Sequence, residues 1–359
     1  MRTDTQAPAA ESPASAGPVR TRRKLPRPAP AALYLLGLLA AAALSALTGF
    51  SIALTAIYGV VLGTLAVYVA ARLVEGRRKA TDRLVTCLVW TAFALAMLPL
   101  VSLIYTVLDN GLARLDAEFF NSSMLGVVGE GGGAYHAILG TLVITGLTAL
   151  ISVPIGLLTA IYLVEYGTGR LKKAITFLVD VMTGIPSIVA GLFAFALFAL
   201  FFGPGIRLGI MGAVALSVLM IPVVVRSAEE VLKLVPNELR EASYALGVPK
   251  WRTILKVVIP TSIGGLATGT TLAIARVVGE TAPLLVTTGF VNGTNLDPFS
   301  GRMTTLPVFS FYQLTQPGFP PEFGIERAWS AALVLIVLVM ALNVLARLIS
   351  RFFAPTTSR

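Results

Sequence analysis

Charge is what this sequence has least of: only 13% of its 359 residues are Asp, Glu, Lys or Arg, against 56% hydrophobic. So little charge cannot cover the surface of a soluble domain of this size, and the composition points to the bilayer as the main solvent. Cysteine and histidine occur once each, as Cys87 and His136. A lone cysteine in an apolar run excludes a disulfide framework and a thiolate metal site. A lone histidine beside an apolar run reads as an interface residue rather than a ligand. No metal, cofactor or intramembrane nucleophile is therefore expected. A glycine run, Gly129 to Gly133 around Glu130, is not followed by the lysine and hydroxyl of a phosphate-binding loop, and no such motif occurs elsewhere, so the chain cannot hydrolyse ATP by itself. The run reads as a flexible turn.

The net charge of +10 would suggest nucleic acid in a soluble protein. Here the basic residues mark membrane topology instead, and no nucleic-acid partner is expected. Residues 1–30 are rich in Ala, Pro and Ser and carry Arg20, Arg22, Arg23, Lys24 and Arg27. They read as a disordered cytoplasmic tail rather than a cleaved signal, because a long apolar run follows and a second comes almost at once.

A helix needs about 20 apolar residues to cross the hydrocarbon core. Eight stretches qualify: 31–48, 51–72, 84–108, 138–164, 174–202, 208–228, 258–286 and 328–350. Taken with an internal N-terminus, alternate connections carry the cations: Arg77, Arg78, Lys79 and Arg83; Arg170, Lys172 and Lys173; then Lys233, Arg240, Lys250, Arg252 and Lys256. The intervening loops 109–137 and 289–327 are acidic or nearly free of cations. The expected fold is an all-α membrane bundle of about eight spans with both termini inside. It divides into an N-terminal hairpin (31–83), a first core span with its loop (84–134), a main domain (135–350) and a short tail (351–359). Pro154, Pro186 and Pro222 interrupt three of these spans, the second within Gly184-Ile185-Pro186-Ser187. Three prolines in one bundle suggest discontinuous helices around a path.

The longest internal loop holds Glu241-Ala242-Ser243-Tyr244-Ala245-Leu246-Gly247, and nine residues later Val257-Val258-Ile259-Pro260. Pro236 at entry and acids in the first turn predict a short helix, and Gly247 with Pro249 its stop. These residues resemble the E-A-A-x(3)-G-x(9)-I-x-L-P loop of binding-protein-dependent ABC importer permeases. Glu241, Ala242, Gly247 and Pro260 match at the family spacing; Ser243, Val257 and Ile259 are small or aliphatic departures. Pro186 to Phe193, Ile161 to Gly167, Leu232 to Pro236 and, most specifically, Ala275-Arg276-Val277-Val278-Gly279-Glu280-Thr281-Ala282-Pro283 resemble the phosphate-specific branch, and its A-type subunit in particular. The resemblance covers about 84–350 and leaves the first hairpin as an addition to a six-span core.

The resemblance implies a transport subunit without enzymatic activity. Its partners would be ATP-binding cassette ATPase subunits docked on 236–256, a second homologous permease, and an external phosphate-binding protein. Glu241, Ala242, Ser243, Gly247 and Pro260 would couple to the ATPase. Phosphate requires donors and positive potential, which nominates Arg276, Glu280, Arg226 and Ser187 for the path. Arg276 and Glu280, four residues apart, would share a helix face lined by Gly264, Gly265, Gly269 and Ala273. Permeases for sulfate or molybdate remain an alternative within the class. A self-sufficient ion-coupled carrier would show an inverted repeat, and none is evident.

Overall fold

The computed structural model describes residues 25–26, 28–48 and 51–353. Nearly all of the expected N-terminal tail and residues 354–359 lie outside them. Among the described residues every regular element is helical, because runs this apolar must close their backbone hydrogen bonds internally to enter lipid. Seven helices are long and apolar enough to span a membrane, and a bent pair makes an eighth candidate. The chain divides into two compact units, one reaching to Leu103 and the other starting at Ile104.

In the first unit, α1 (Ala29–Thr48) and α2 (Ile52–Val74) form a tight hairpin. Glycine permits the approach: a Cβ on Gly37 would sit 2.6 Å from the backbone nitrogen of Gly63. Tyr34 Oη and Thr64 Oγ1 share a hydrogen bond of 2.8 Å across the pair. Then α3 (Arg77–Gly111) departs after Gly76, whose φ of 96° suits glycine. This helix is longer than the expected span 84–108, because its first two turns are built from Arg77, Arg78, Lys79 and their polar neighbours, which periodicity of apolar residues does not register.

The second unit holds the main core. Its centre is the packing of α5 (Tyr135–Ile161) on α8 (Gly209–Lys233) around Ile144, Leu216, Met220 and Val224. Gly156 seats against Val224 and Gly212 against Thr288 and Leu284. α5 runs on through a π-turn, Tyr162–Tyr166. Pro154 and Pro222 lie inside continuous helices, so of the three prolines expected to interrupt spans only Pro186 does. There α6 (Gly169–Thr183) and α7 (Ser187–Phe202) meet at 108°. Proline alone kinks a helix; with Gly184 two residues earlier the chain can turn outright.

A short helix α9 (Asn237–Ala245) precedes α10 (Lys250–Thr253), the π-turn Ile254–Val258 and α11 (Ile259–Val278). The expected span 258–286 thus ends early. Gly279 caps it, and Pro283 belongs to a separate helix, α12 (Ala282–Thr287). α13 (Leu306–Thr315) and α14 (Pro321–Phe353) complete the unit, with α14 against α11 and α13. The remaining short helix, α4 (Ala117–Asn121), carries Phe119 into a second core with Leu306 and Phe309. His136, expected at an interface, is 2% exposed and edge-on to the Phe309 ring.

The glycine run is a turn, as expected, but it is held rather than free. Arg327, 4% exposed, donates through Nη1 to the carbonyls of Gly129 (2.8 Å) and Gly131 (2.9 Å) and through Nε to Gln313. Glu118 accepts from the Gly132 amide at 2.9 Å, and Arg114 pairs with Asp116 and Glu118. Three glycines of the run have positive φ. This conformation exposes their carbonyls to the two arginines.

Candidate functional site

The candidate coupling residues and the candidate path residues occupy separate regions of the second unit. The first is the elbow formed by α9 and α10. α9 begins at Pro236, which has no N–H to strand. It ends in a Schellman motif: the Gly247 amide bonds the Tyr244 carbonyl at 2.9 Å and the Val248 amide bonds the Ser243 carbonyl at 3.3 Å. The motif needs a left-handed residue at its turn, and Gly247 supplies it with φ +72°. A Cβ there would meet nothing within 4 Å, so the demand for glycine is one of backbone conformation, not space.

Ser243, a departure from the usual alanine, is buried and shares a 2.8 Å hydrogen bond with Thr253 Oγ1. The pair stitches α9 to α10. Pro260 is the second residue of α11, one residue past the π-turn. It brings no donor to the helical ladder, and the wider π-turn absorbs the gap without breaking the rod. Glu241 and Ala242 are exposed. Also exposed are Leu246 (83%) and Trp251 (54%) in the elbow and Leu234 (80%) at the end of α8.

A residue pair not foreseen as a pair anchors the elbow. Arg240 donates through Nη2 to Glu165 Oε1 at 2.8 Å, with the two side chains 12% and 5% exposed. It also donates to the carbonyls of Leu232 and Val235 at the C-terminal end of α8. A guanidinium there suits the negative end of the helix dipole. Glu165 lies in the π-turn that ends α5. One side chain therefore ties α9 to α5 and α8. In the sequence Arg240 looks like one more topology cation and Glu165 like part of a Glu-Tyr-Gly tract. The available signal was an acid placed immediately after an apolar span, where burial demands a cation.

The second group is spread along the spans. Ser187 is the first residue of α7, at the 108° bend, with Pro186 as the N-cap. α7 then packs on α12, Gly191 so close to Pro283 that a Cβ would lie 2.6 Å from its Cα. Arg226, two turns before the end of α8, is already engaged: it pairs with Asp180 of α6 and with Glu229, which also holds Lys233 at 2.7 Å.

Arg276 lies in the last turn of α11 and Glu280 beyond its cap. The expected shared helix face is lost because the helix stops at Val278, and no ion pair or hydrogen bond joins their side chains among the described residues. Arg276 is exposed and Glu280 half-buried. The small residues of α11 serve packing: Gly265 seats against Val231 and Gly269 against Ser227, both on α8. Among the described residues no cluster of His, Cys, Asp and Glu could hold a metal ion.

Residues 152–359 match the family described as binding-protein-dependent transport system inner membrane component. The chain is 48% identical over 286 residues to phosphate transport system permease protein PstA 1 of Mycobacterium tuberculosis, covering 79% of this chain and 91% of the relative. It is 38% identical over 285 residues to PstA of Pasteurella multocida, covering 79% and 97%. A solved bacterial alginate ABC transporter, in complex with an alginate pentasaccharide-bound periplasmic protein, has a chain of the same fold, with TM-score 0.53 at 13% identity over 77% of this chain and 96% of that one. With spans, elbow and relatives in agreement, the chain belongs to the binding-protein-dependent inner membrane components of ABC importers, on the branch of the PstA permeases.

Proposed function

We propose that this multi-pass permease passes inorganic phosphate inward across the bacterial cytoplasmic membrane and is driven through its α9–α10 elbow by separate ATPase subunits. The observation that carries the coupling role is the elbow itself: an exposed apolar surface at Leu246 and Trp251 on an element fastened to α5 and α8 by Arg240. A push on such an element is delivered to two core helices at once. The basic connections between alternate spans favour an orientation with the elbow and both termini inside.

The choice of phosphate rests on the relatives, which are named phosphate transport permeases, and on the character of Arg276. A guanidinium left unpaired in a span is costly unless water or a partner receives it. A hydrated path shared with a second permease provides both, and the fork of donors suits a phosphate oxyanion. Ser187 and the first amides of α7 would line the same path at the bend. Arg226 would contribute only on leaving Asp180 or Glu229, which makes it a candidate gate. Glu280 would moderate the binding so that the anion leaves.

The test is reconstitution of this chain with its ATPase, sister permease and binding protein in vesicles. Phosphate-loaded binding protein should stimulate ATP hydrolysis and phosphate uptake together. Stimulation by a sulfate- or molybdate-loaded protein instead would move the substrate assignment. Uptake by the chain alone would overturn the coupling.

A further inference from the structure

The N-terminal unit contains a gap that the proposed transport cycle does not use. α1 and α2 close on each other through Gly37, Gly63 and Tyr34, whereas α3 makes no comparable approach to either. At its start α3 is tied to the end of α2, where Arg83 donates to both oxygens of the buried Glu75 at 2.7 and 2.9 Å. Beyond that tie a cavity of about 1150 Å³ opens between α3 and the hairpin. Its walls are apolar, from Ile57 and Val61 on α2 to Trp90, Leu95 and Leu98 on α3. Its charged residues, Glu75, Lys79, Asp82 and Arg83, all lie at the tied end. A second hollow of about 490 Å³, lined by Arg77, Arg78 and Asp82, adjoins that end in sequence.

We propose that this gap binds one anionic phospholipid, with its acyl chains between α3 and the hairpin and its phosphate at Arg77, Arg78 and Lys79. The division of the lining is that of a phospholipid: a long apolar compartment with charge at one mouth only. The charge has the right sign. Glu75 and Arg83 cancel, and Arg77, Arg78 and Lys79 against Asp82 leave three minus one, two net positive charges. Basic residues clustered at the end of a span attract anionic headgroups. The lipid would fill a gap whose α3 wall has no residue buried in its most apolar stretch, so the hairpin and α3 would be joined at one end by an ion pair and along their length by a lipid.

The chain has three tryptophans, and Trp251→Phe with Trp329→Phe leaves Trp90 on the wall of the gap as the reporter. The full-length protein is reconstituted in phosphatidylcholine vesicles with a minor fraction of either brominated phosphatidylglycerol or brominated phosphatidylcholine. Brominated phosphatidylglycerol should quench Trp90 with an apparent preference of roughly tenfold or more, at about 1 kcal/mol per basic residue. Arg77→Gln/Arg78→Gln/Lys79→Gln should abolish the preference without abolishing quenching, and Arg77→Lys/Arg78→Lys should keep it. Ala94→Phe/Leu98→Phe, which fills the gap and leaves the basic mouth intact, should reduce quenching by both lipids. Equal quenching by the two lipids in the parent protein overturns the proposal. So does a preference that survives the triple glutamine variant. Absence of quenching by either lipid would show that protein, not lipid, occupies the gap.

Discussion

Arg240 and Glu165, 75 residues apart, form a buried ion pair at 2.8 Å in which the same guanidinium also closes the carbonyls of Leu232 and Val235. The elbow is thus bolted to the ends of two core helices by a single side chain. Arg240→Ala should leave the Glu165 carboxylate buried without a partner, at a cost of about 3–5 kcal/mol. The expected outcome is a lower melting temperature in detergent and loss of uptake, with Glu165→Gln/Arg240→Ala regaining stability but not coupling. Thermal unfolding followed by size exclusion, beside vesicle uptake, separates the two effects.

Gly247 tests the elbow by another route. A left-handed conformation costs an L-residue about 1–2 kcal/mol, and β-branching adds to it. Gly247→Val should insert and assemble normally yet uncouple hydrolysis from uptake. Because no atom crowds the position, Gly247→Asn should retain most of the activity. Equal loss in both variants would point to a partner contact at the glycine rather than to its conformation.

The bend at Pro186 is expected to matter for flux rather than assembly. Gly184→Ala/Pro186→Ala supplies the missing donor and removes the flexible residue, favouring a straighter α6–α7 rod. Phosphate uptake should fall several-fold while the complex still purifies intact. Unchanged uptake would reduce the bend to a packing detail.

Arg276→Ala should abolish uptake without loss of the assembled complex, and Arg276→Lys should be poor, since a point charge replaces the fork. Glu280 does not hold Arg276 in this conformation, so Arg276→Ala/Glu280→Ala should not restore uptake. Restoration would instead identify a structural lock whose single variant suffers from an unpaired carboxylate.

Much of this was legible in the sequence because lipid imposes a simple rule on span composition. Seven of the eight apolar runs correspond to span-length helices and the eighth to the bent α6–α7 pair, and the elbow is found because its proline, acids and glycine each do one local job. What stayed hidden is tertiary. The two turns by which α3 exceeds its apolar run are built from charged residues that satisfy themselves outside the core. The end of α11 at Val278 depends on Gly279 and Pro283 acting together. Pro154 and Pro222 look like breaks but are held in helices by close packing around Gly156 and Val224. Arg327 and Arg240 read as ordinary loop cations because nothing local reveals that each will be buried among distant carbonyls.

Acid sensitivity follows from Glu75, which lies between α2 and α3. The hydrogen bonds from Arg83 hold its carboxyl down to about 2, from an ordinary 4.5. A carboxyl depressed by folding adds stability above its unfolded value and loses it as the pH falls through the folded one. The Glu75 contribution is therefore complete above pH about 4.5 and lost toward pH 2. Since Arg83 is 31% exposed, solvent screening reduces it to about 1–2 kcal/mol. Glu75→Gln should flatten the dependence of melting temperature on pH in this window, relative to the parent protein.

The two π-turns acquire a meaning from their positions. Tyr162–Tyr166 ends α5 beside Arg240, and Ile254–Val258 joins α10 to α11. A π-turn holds one residue more than an α-helix needs for the same advance. Each is a stored increment of twist at the junction between the elbow and a long helix. Passing that surplus residue one step along the rod would turn the segment between its old and new places by about 100°, the angle per residue of an α-helix, while keeping the ladder of hydrogen bonds nearly whole. The two joints beside the elbow therefore hold a surplus of twist.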